Sequence, residues 1–90
     1  MVSDNDWRLK GQEGYLLGAS LYRRSYRVPR EGWDHDHCEF CDAKFMESPA
    51  PEVLTAGYCT ADCYHWICAD CVRDFKDRFR WRIEIQNTDE

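Results

Sequence analysis

The sequence predicts a small α+β domain in which antiparallel β-hairpins precede one C-terminal α-helix at about residues 69–80. Apolar and polar side chains alternate in several short segments, and after Cys68 the apolar period changes to three or four residues. These two periods are typical of half-buried strands and of an amphipathic helix. The chain also has six cysteines in only 90 residues. A core of this size is marginal, so the cysteines indicate a cross-link between distant segments.

One domain is expected over residues 1–90, because neither half is long enough to fold alone. We divide it into a β-rich N-terminal extension (1–32), a cysteine-bearing core (33–80) and a short strand or tail (81–90). The segment 47–52 contains two prolines and is predicted to be a surface loop within the core.

The first strand is predicted within residues 17–28, where apolar side chains alternate with polar ones and tyrosines add β-forming character. A turn at residues 29–32 closes it, and Trp33 begins a second extended piece. Residues 57–67 then predict a β-hairpin with its turn at 61–63. The core therefore has extended segments on both sides of the proline-containing loop.

The helix is predicted from the spacing of Val72, Phe75 and Phe79, which places these side chains on one face. Ile83 continues the same period. From residue 81 to 85 a strict alternation predicts a terminal strand instead. The two patterns overlap, so the end of the helix is left open between them.

Charge is segregated along a chain whose formal net charge is −5. Residues 21–33 carry four arginines against one glutamate, and residues 34–71 carry eight acids against one lysine. An acidic chain is a poor non-specific ligand for nucleic acid, since phosphate neutralisation supplies most of that affinity. The arginines are expected to offset the acidic segment.

The sequence contains no apolar stretch of 18 residues or more and does not begin with the basic and apolar regions of a secretory signal. We therefore expect a cytoplasmic protein that does not enter a membrane. In that compartment thiols stay reduced, and metal ligation is favoured over disulfides.

The strongest motif is Cys38-x2-Cys41 followed by Cys68-x2-Cys71. Two such pairs supply the four sulfurs that zinc binds tetrahedrally in structural sites. The second pair begins the predicted helix, whose dipole favours thiolates. We therefore predict one structural zinc ion. Free thiols, disulfides and an iron–sulfur cluster remain alternatives. In a treble-clef zinc site a tight turn supplies two ligands, a hairpin follows, and the start of a helix supplies the last two. The predicted elements have this order.

Cys59 and Cys63 have a spacing that matches no standard ligand pair. Our main interpretation is that Cys59 is a small buried hydrophobe and that Cys63 is a turn residue. They are alternatively redox partners, or ligands of a second metal together with His35 or His37. The two histidines alternate along an extended segment and are expected to share a face.

Cys38-x2-Cys41, Cys59 and His65-x2-Cys68-x2-Cys71 resemble the first six ligands of a RING finger. In such a cross-braced domain the first, second, fifth and sixth ligands bind one zinc, which here implies the predicted set. No cysteine follows Cys71, so the second site is incomplete and the resemblance implies no ubiquitin-ligase activity. It implies a treble-clef fold with one zinc.

Residues 33–41, 58–60 and 64–71 are also similar to a family of small uncharacterised bacterial zinc-binding proteins. This resemblance extends over most of the chain and implies a bacterial cytosolic setting. It implies no particular chemistry.

Three functions follow from these features. The first is a non-catalytic zinc module that binds another protein through some of its aromatic residues, which make up 14% of the chain. The second is single-stranded nucleic-acid binding by residues 21–30, which interleave aromatics and cations as Tyr22, Arg23, Arg24, Tyr26, Arg27 and Arg30. The third is thiol redox chemistry at Cys59 and Cys63. No triad, P-loop or dinucleotide motif is present, and we do not expect an enzyme.

Overall fold

Two small β-sheets and one long helix form the fold in the computed structural model, which describes residues 6–28, 32 and 35–84. The predicted α+β class is confirmed. Trp33, Ile85 and most of the turn predicted at 29–32 lie outside the described residues. The elements in chain order are α1 (Glu13–Leu16), β1 (Ser20–Ser25), β2 (Asp36–His37), β3 (Lys44–Phe45), β4 (Val53–Leu54), β5 (Ala56–Cys59), β6 (Trp66–Ile67), α2 (Ala69–Phe79) and β7 (Arg82–Glu84).

The larger sheet has the strand order β6-β5-β1-β7 and the smaller one the order β2-β3-β4. The predicted hairpin is confirmed as the antiparallel pair β5–β6, and β1 also runs antiparallel to β5. Two pairs differ from the antiparallel prediction, because β1–β7 and β3–β4 are parallel. Strand β7 follows a helix that crosses back along the sheet, and such a crossover is what parallel neighbours require.

Helix α2 ends where Arg80 takes a left-handed conformation with φ of 58°. The backbone N–H of Arg80 donates to the carbonyl of Asp77, and that of Trp81 donates to the carbonyl of Lys76. These bonds satisfy the last carbonyls and turn the chain out of the helix. The helix therefore ends within one residue of its predicted end, and Ile83 belongs to strand β7.

The core consists largely of aromatic rings that join the two sheets to α2. Phe40, Phe75, Phe79 and Trp81 contact one another beneath the helix. At Gly57, a β-carbon would lie 2.6 Å from the ring of Phe45. The absence of a side chain at this position is what lets the smaller sheet pack on the larger one.

The N-terminal segment is fastened to the rest by polar contacts. Gln12 is 2% exposed, and its Nε2 donates to the carbonyls of Arg8 and Glu39 at 2.9 and 3.0 Å. Trp81 Nε1 donates to the carbonyl of Leu16 at 2.9 Å. Helix α1, which has no sequence signal of its own, is thereby held between the turn at Glu39 and the end of α2. Leu17 lies outside β1 and is exposed.

Candidate metal centre

The four-cysteine cluster consists of Cys38, Cys41, Cys68 and Cys71, whose sulfurs all lie within 4.8 Å of one another. Cys41 Sγ and Cys68 Sγ are 3.6 Å apart. A tetrahedral zinc site with bonds of about 2.3 Å has sulfur–sulfur edges of about 3.8 Å. The four cysteines that the spacing predicts as ligands are thus positioned to hold one metal ion.

Cys38 and Cys41 lie in a tight turn between β2 and β3. The turn is closed by the N–H of Cys38, which donates to the carbonyl of Ala43 at 2.8 Å, and by Asp42, which has a φ of 66°. The N–H of Phe40 donates to Cys38 Sγ at 3.4 Å. The x2 spacing therefore directs both sulfurs to one side and turns a backbone N–H toward one of them.

The second pair lies at the start of α2. Cys68 is the N-cap residue and Cys71 is in the first turn, so the positive end of the helix dipole faces the sulfurs. The N–H of Cys68 donates to Cys38 Sγ at 3.4 Å. The helix start thus supplies two sulfurs and also a hydrogen bond to a sulfur of the first pair.

The close packing of the sulfurs perturbs their ionisation. Hydrogen bonds from Cys68 and Cys71 hold the pKa of Cys38 well below its ordinary value. The hydrogen bond with Cys38 in turn raises the pKa of Cys68 to about 12 and also raises the pKa of Cys71. One negative charge is favoured at Cys38, and further thiolates at this distance need a cation among them. The donor set therefore fits a divalent metal that prefers sulfur.

Arg8 lies against the cluster from the N-terminal segment, and the sequence pattern did not single it out. Its Nη1 donates to Cys71 Sγ at 3.6 Å and to Asp74 Oδ2 at 3.0 Å. Its guanidinium also pairs with Asp6 at 2.8 Å and lies over the ring of Phe75. Hydrogen bonding to Asp6 raises the pKa of Arg8 and lowers that of Asp6 to about 2. A fixed positive charge thus faces one sulfur.

Cys59 and Cys63 form a separate sulfur pair, 3.6 Å apart at the turn of the β5–β6 hairpin. We call these two residues the hairpin pair. Cys59 is fully buried, as expected, and Cys63 is in the turn with a φ of 59°. Arg24 Nη1 donates to Cys63 Sγ at 2.6 Å, a contact that no spacing predicts.

The histidines do not join the hairpin pair. The rings of His35 and His37 contact each other with centroids 4.9 Å apart, so they share a face as expected. His65 Nδ1 lies 2.8 Å from Glu39 Oε2. Within residues 6–28, 32 and 35–84, the four-cysteine cluster is the only group of three or more potential ligands close enough for one ion.

Several side chains of the arginine-rich segment, residues 21–30, make contacts within the fold. Tyr26 is 1% exposed, and its hydroxyl donates to Asp36 Oδ2 at 2.7 Å. Arg24 lies over the ring of Tyr22, 4.9 Å from its centroid, while it bonds the hairpin pair. Tyr26 therefore offers no face to a base. Among the described residues, Arg23 and Arg27 are the arginines of this segment that project into solvent.

No helix in the described part of the chain has the length and apolar character needed to cross a membrane. All six cysteines are free, so none of the predicted ligands is taken up in a disulfide. Comparison of the chain with protein-family models, curated proteins and solved structures gave no match.

Proposed function

We propose that the chain is a treble-clef-like module that is held together by one structural, non-catalytic zinc ion and that binds another protein. The observation that carries the zinc assignment is the four-cysteine cluster, whose sulfurs approach tetrahedral spacing. Four sulfurs fill the coordination shell of zinc and leave no position for a substrate, which favours a structural role over a catalytic one.

The setting proposed for the module is a bacterial cytosol. Six free cysteines in a chain of this size are compatible with a compartment that keeps thiols reduced. The acidic composition disfavours binding to nucleic acid and favours partners that present basic groups. A protein surface of that kind is the partner we propose.

The proposed contact surface is the ring cluster of Tyr15, His65 and Tyr64. The side chains of Tyr15 and Tyr64 are 48% and 61% exposed, and both rings contact that of His65, at 4.6 and 4.9 Å. The Tyr15 hydroxyl donates to Glu39 Oε1 at 3.0 Å, and Glu39 also binds His65. Aromatic side chains held in place in this way lose little entropy on binding and are typical anchors of protein interfaces.

The zinc assignment is tested by metal analysis of the purified chain, combined with circular dichroism before and after chelation. We expect one zinc per chain and loss of secondary structure on chelation, because structural zinc supplies folding free energy. Iron in place of zinc would contradict the assignment. A spectrum that survives complete metal removal would contradict the structural role.

The contact surface is tested by affinity capture with the wild-type chain and with the Tyr15→Ala/Tyr64→Ala double variant. Trp7→Ala is the matched control, since Trp7 is 68% exposed and lies beside the metal centre instead. We expect proteins that the double variant loses and the control retains. Identical capture by all three chains, at equal zinc content, would contradict the proposal.

A further inference from the structure

The hairpin pair has a chemical environment that differs from that of a pair of buried structural thiols. Cys59 is fully buried, whereas Cys63 is only partly buried and lies in the exposed turn. The Cys59 thiol donates its hydrogen bond to Cys63 Sγ at 3.6 Å. One sulfur is thus accessible from solvent and accepts hydrogen bonds, and the other lies behind it and still carries a proton.

Arg24 is directed at this pair by the sheet. Strand β1 places Tyr22 opposite Cys59, and side chains two residues apart share a face, so Arg24 lies on the face of Cys59. Its Nη1 donates to Cys63 Sγ at 2.6 Å and reaches Cys59 Sγ at 3.9 Å. Burial works against its charge, but the two sulfurs leave the pKa of Arg24 raised.

The turn that carries Cys63 is fixed independently of the sulfurs. The N–H of Cys63 donates to the carbonyl of Thr60 at 2.8 Å, and Trp66 Nε1 donates to the carbonyl of Cys63 at 3.1 Å. Asp62 Oδ1 accepts from the Thr60 hydroxyl and from the N–H of Tyr64. Cys63 therefore stays beside Cys59 without a bond between the sulfurs.

We propose that Cys59 and Cys63 are a dithiol that reduces hydroperoxides, in which Cys63 attacks, Cys59 resolves and Arg24 holds the attacking sulfur. This inference is independent of the proposed protein-binding role. Thiolates are the nucleophilic form of cysteine, and a neighbouring guanidinium stabilises them. The site also lies apart from the four-cysteine cluster, since none of its three residues contributes to that group.

The reaction has two steps. The Cys63 thiolate attacks one oxygen of hydrogen peroxide, the O–O bond breaks, and the departing hydroxide takes a proton from solvent to leave as water. Cys63 is then a sulfenic acid. The Cys59 sulfur attacks the Cys63 sulfur, the S–O bond breaks, and hydroxide leaves as water with the proton of Cys59. Two thiols and one peroxide thus give one disulfide and two waters, and a small dithiol reductant restores the pair.

The two thiols are suited to these different steps. Burial, and then the hydrogen bond to Cys63, raises the pKa of Cys59 to about 12, so Cys59 keeps its proton while Cys63 attacks the peroxide. In the second step Cys59 gives this proton to the departing hydroxide as its sulfur attacks. The sulfurs must approach from 3.6 Å to the length of a disulfide, which is about 2.05 Å. The turn keeps Cys63 beside Cys59, and rotation of the two short side chains can close the remaining gap.

The test uses the zinc-loaded full-length chain, one equivalent of hydrogen peroxide, alkylation and mass spectrometry. A protease that cleaves before aspartate separates residues 42–61 from 62–69, so a Cys59–Cys63 disulfide joins these two fragments and leaves Cys68 of the second fragment alkylated, which tandem mass spectrometry locates. We expect that linked pair, a whole-chain mass lower by two hydrogens, and full retention of zinc. Zinc release with Cys59 and Cys63 still alkylated would overturn the proposal.

Substitutions separate the roles of the three residues. Cys59→Ser is expected to leave a sulfenic acid on Cys63 that dimedone traps, whereas Cys63→Ser is expected to leave Cys59 reduced. Arg24→Gln is expected to slow disulfide formation about tenfold or more, the effect of losing one charge-assisted hydrogen bond to the reacting sulfur.

Arg23→Gln is the matched control, because Arg23 is exposed and lies on the opposite face of β1. Its oxidation rate should equal that of the wild type. Equal rates for Arg24→Gln and the wild type would overturn the role of Arg24. Should either serine variant fail to fold, the fragment mapping on the wild-type chain still decides between the two sulfur groups.

Discussion

The four-cysteine cluster and the hairpin pair differ in how the chain brings their sulfurs together. The cluster joins the turn between β2 and β3 to the start of α2. Each pair of cysteines needs the other to complete a shell of four ligands. The hairpin pair is assembled within one turn, four residues apart, and meets a cation from the neighbouring strand. The first arrangement closes a long loop. The second lies on a hairpin that the pairing of β5 with β6 already forms.

Cysteines in one small domain can therefore contribute very differently to its stability. Removal of a ligand from the cluster undoes a tertiary cross-link, so the fold should depend on it. Removal of a sulfur from the hairpin pair leaves the strands and their hydrogen bonds in place. The loss of stability on substitution should therefore distinguish the two groups of cysteines. Burial does not distinguish them, since each group contains a fully buried cysteine.

The largest effect is expected from Cys38→Ser. Cys38 is contacted by the other half of the cluster and accepts two backbone N–H groups, so its loss should abolish zinc binding. The loss should also exceed the typical total stability of about 5–15 kcal/mol and leave the chain unfolded. Metal content and far-ultraviolet circular dichroism measure this, with Cys63→Ser as the control that keeps both. A folded, zinc-containing Cys38→Ser chain would remove the distinction between the two groups.

Gly57→Ala tests whether zinc loss follows from any destabilisation. Its β-carbon would meet Phe45 ring carbons at 2.6 and 2.8 Å and the carbonyl of Ile67 at 3.1 Å. Such overpacking costs about 1–3 kcal/mol, and the two-sided crowding favours the upper end. We expect a lower urea midpoint with one zinc still bound. Gly14→Ala is the control, because nothing lies within 4 Å of its β-carbon. Loss of zinc from the Gly57 variant would show that the site depends on packing in general.

A smaller effect is expected from Arg8→Gln, which removes the positive charge beside Cys71. Changes in groups that contact metal ligands typically weaken metal binding 10- to 100-fold, and we expect about the lower value because the Cys71 contact is long at 3.6 Å. Competition with a chromogenic chelator measures the zinc affinity. Arg73→Gln, an exposed arginine on α2, should bind zinc as the wild type does. Equal zinc affinities for Arg8→Gln and Arg73→Gln would show that Arg8 contributes to packing and not to zinc binding.

The smallest effect is the pH dependence that Cys59 contributes. Its pKa rises from 9.0 to about 12 on folding, so the folded state retains a proton that the unfolded state gives up at lower pH. Its contribution is complete below about pH 9 and is lost as the pH rises toward 12. Urea unfolding between pH 8 and 10.5 should therefore show a decline that is shallower in Cys59→Ala. Parallel declines would contradict a protonated Cys59.

Local patterns in the sequence predicted what depends on neighbours along the chain. The paired x2 spacing identified the four cysteines, and the period of Val72, Phe75 and Phe79 located α2 to within one residue. The hairpin followed from alternating residues that end at a polar turn. The helix, the hairpin and each cysteine pair are encoded within a window of about a dozen residues, whereas the two pairs were joined because zinc requires four ligands.

Apart from the meeting of the two cysteine pairs, contacts between distant segments were not predicted. Arg8 reaches Cys71, and Arg24 reaches Cys63, through side chains that look like any surface arginine in the sequence. The parallel register of β1 and β7 is likewise set by how α2 packs across the sheet. The treble-clef resemblance stays a prediction, and so does the division into extension, core and tail.

Strand β1 has a consequence for the order in which the protein can be completed. It is the first of the strands within residues 6–84 that the structure describes, yet both of its neighbours, β5 and β7, come later, and β7 is the last of them. During synthesis β1 must wait with open edges until nearly all the described chain has left the ribosome. The metal ligands are also all available only then, because Cys71 lies in the helix that directly precedes β7. Folding and metal loading should therefore both wait until α2 and β7 have been made, and should take place together.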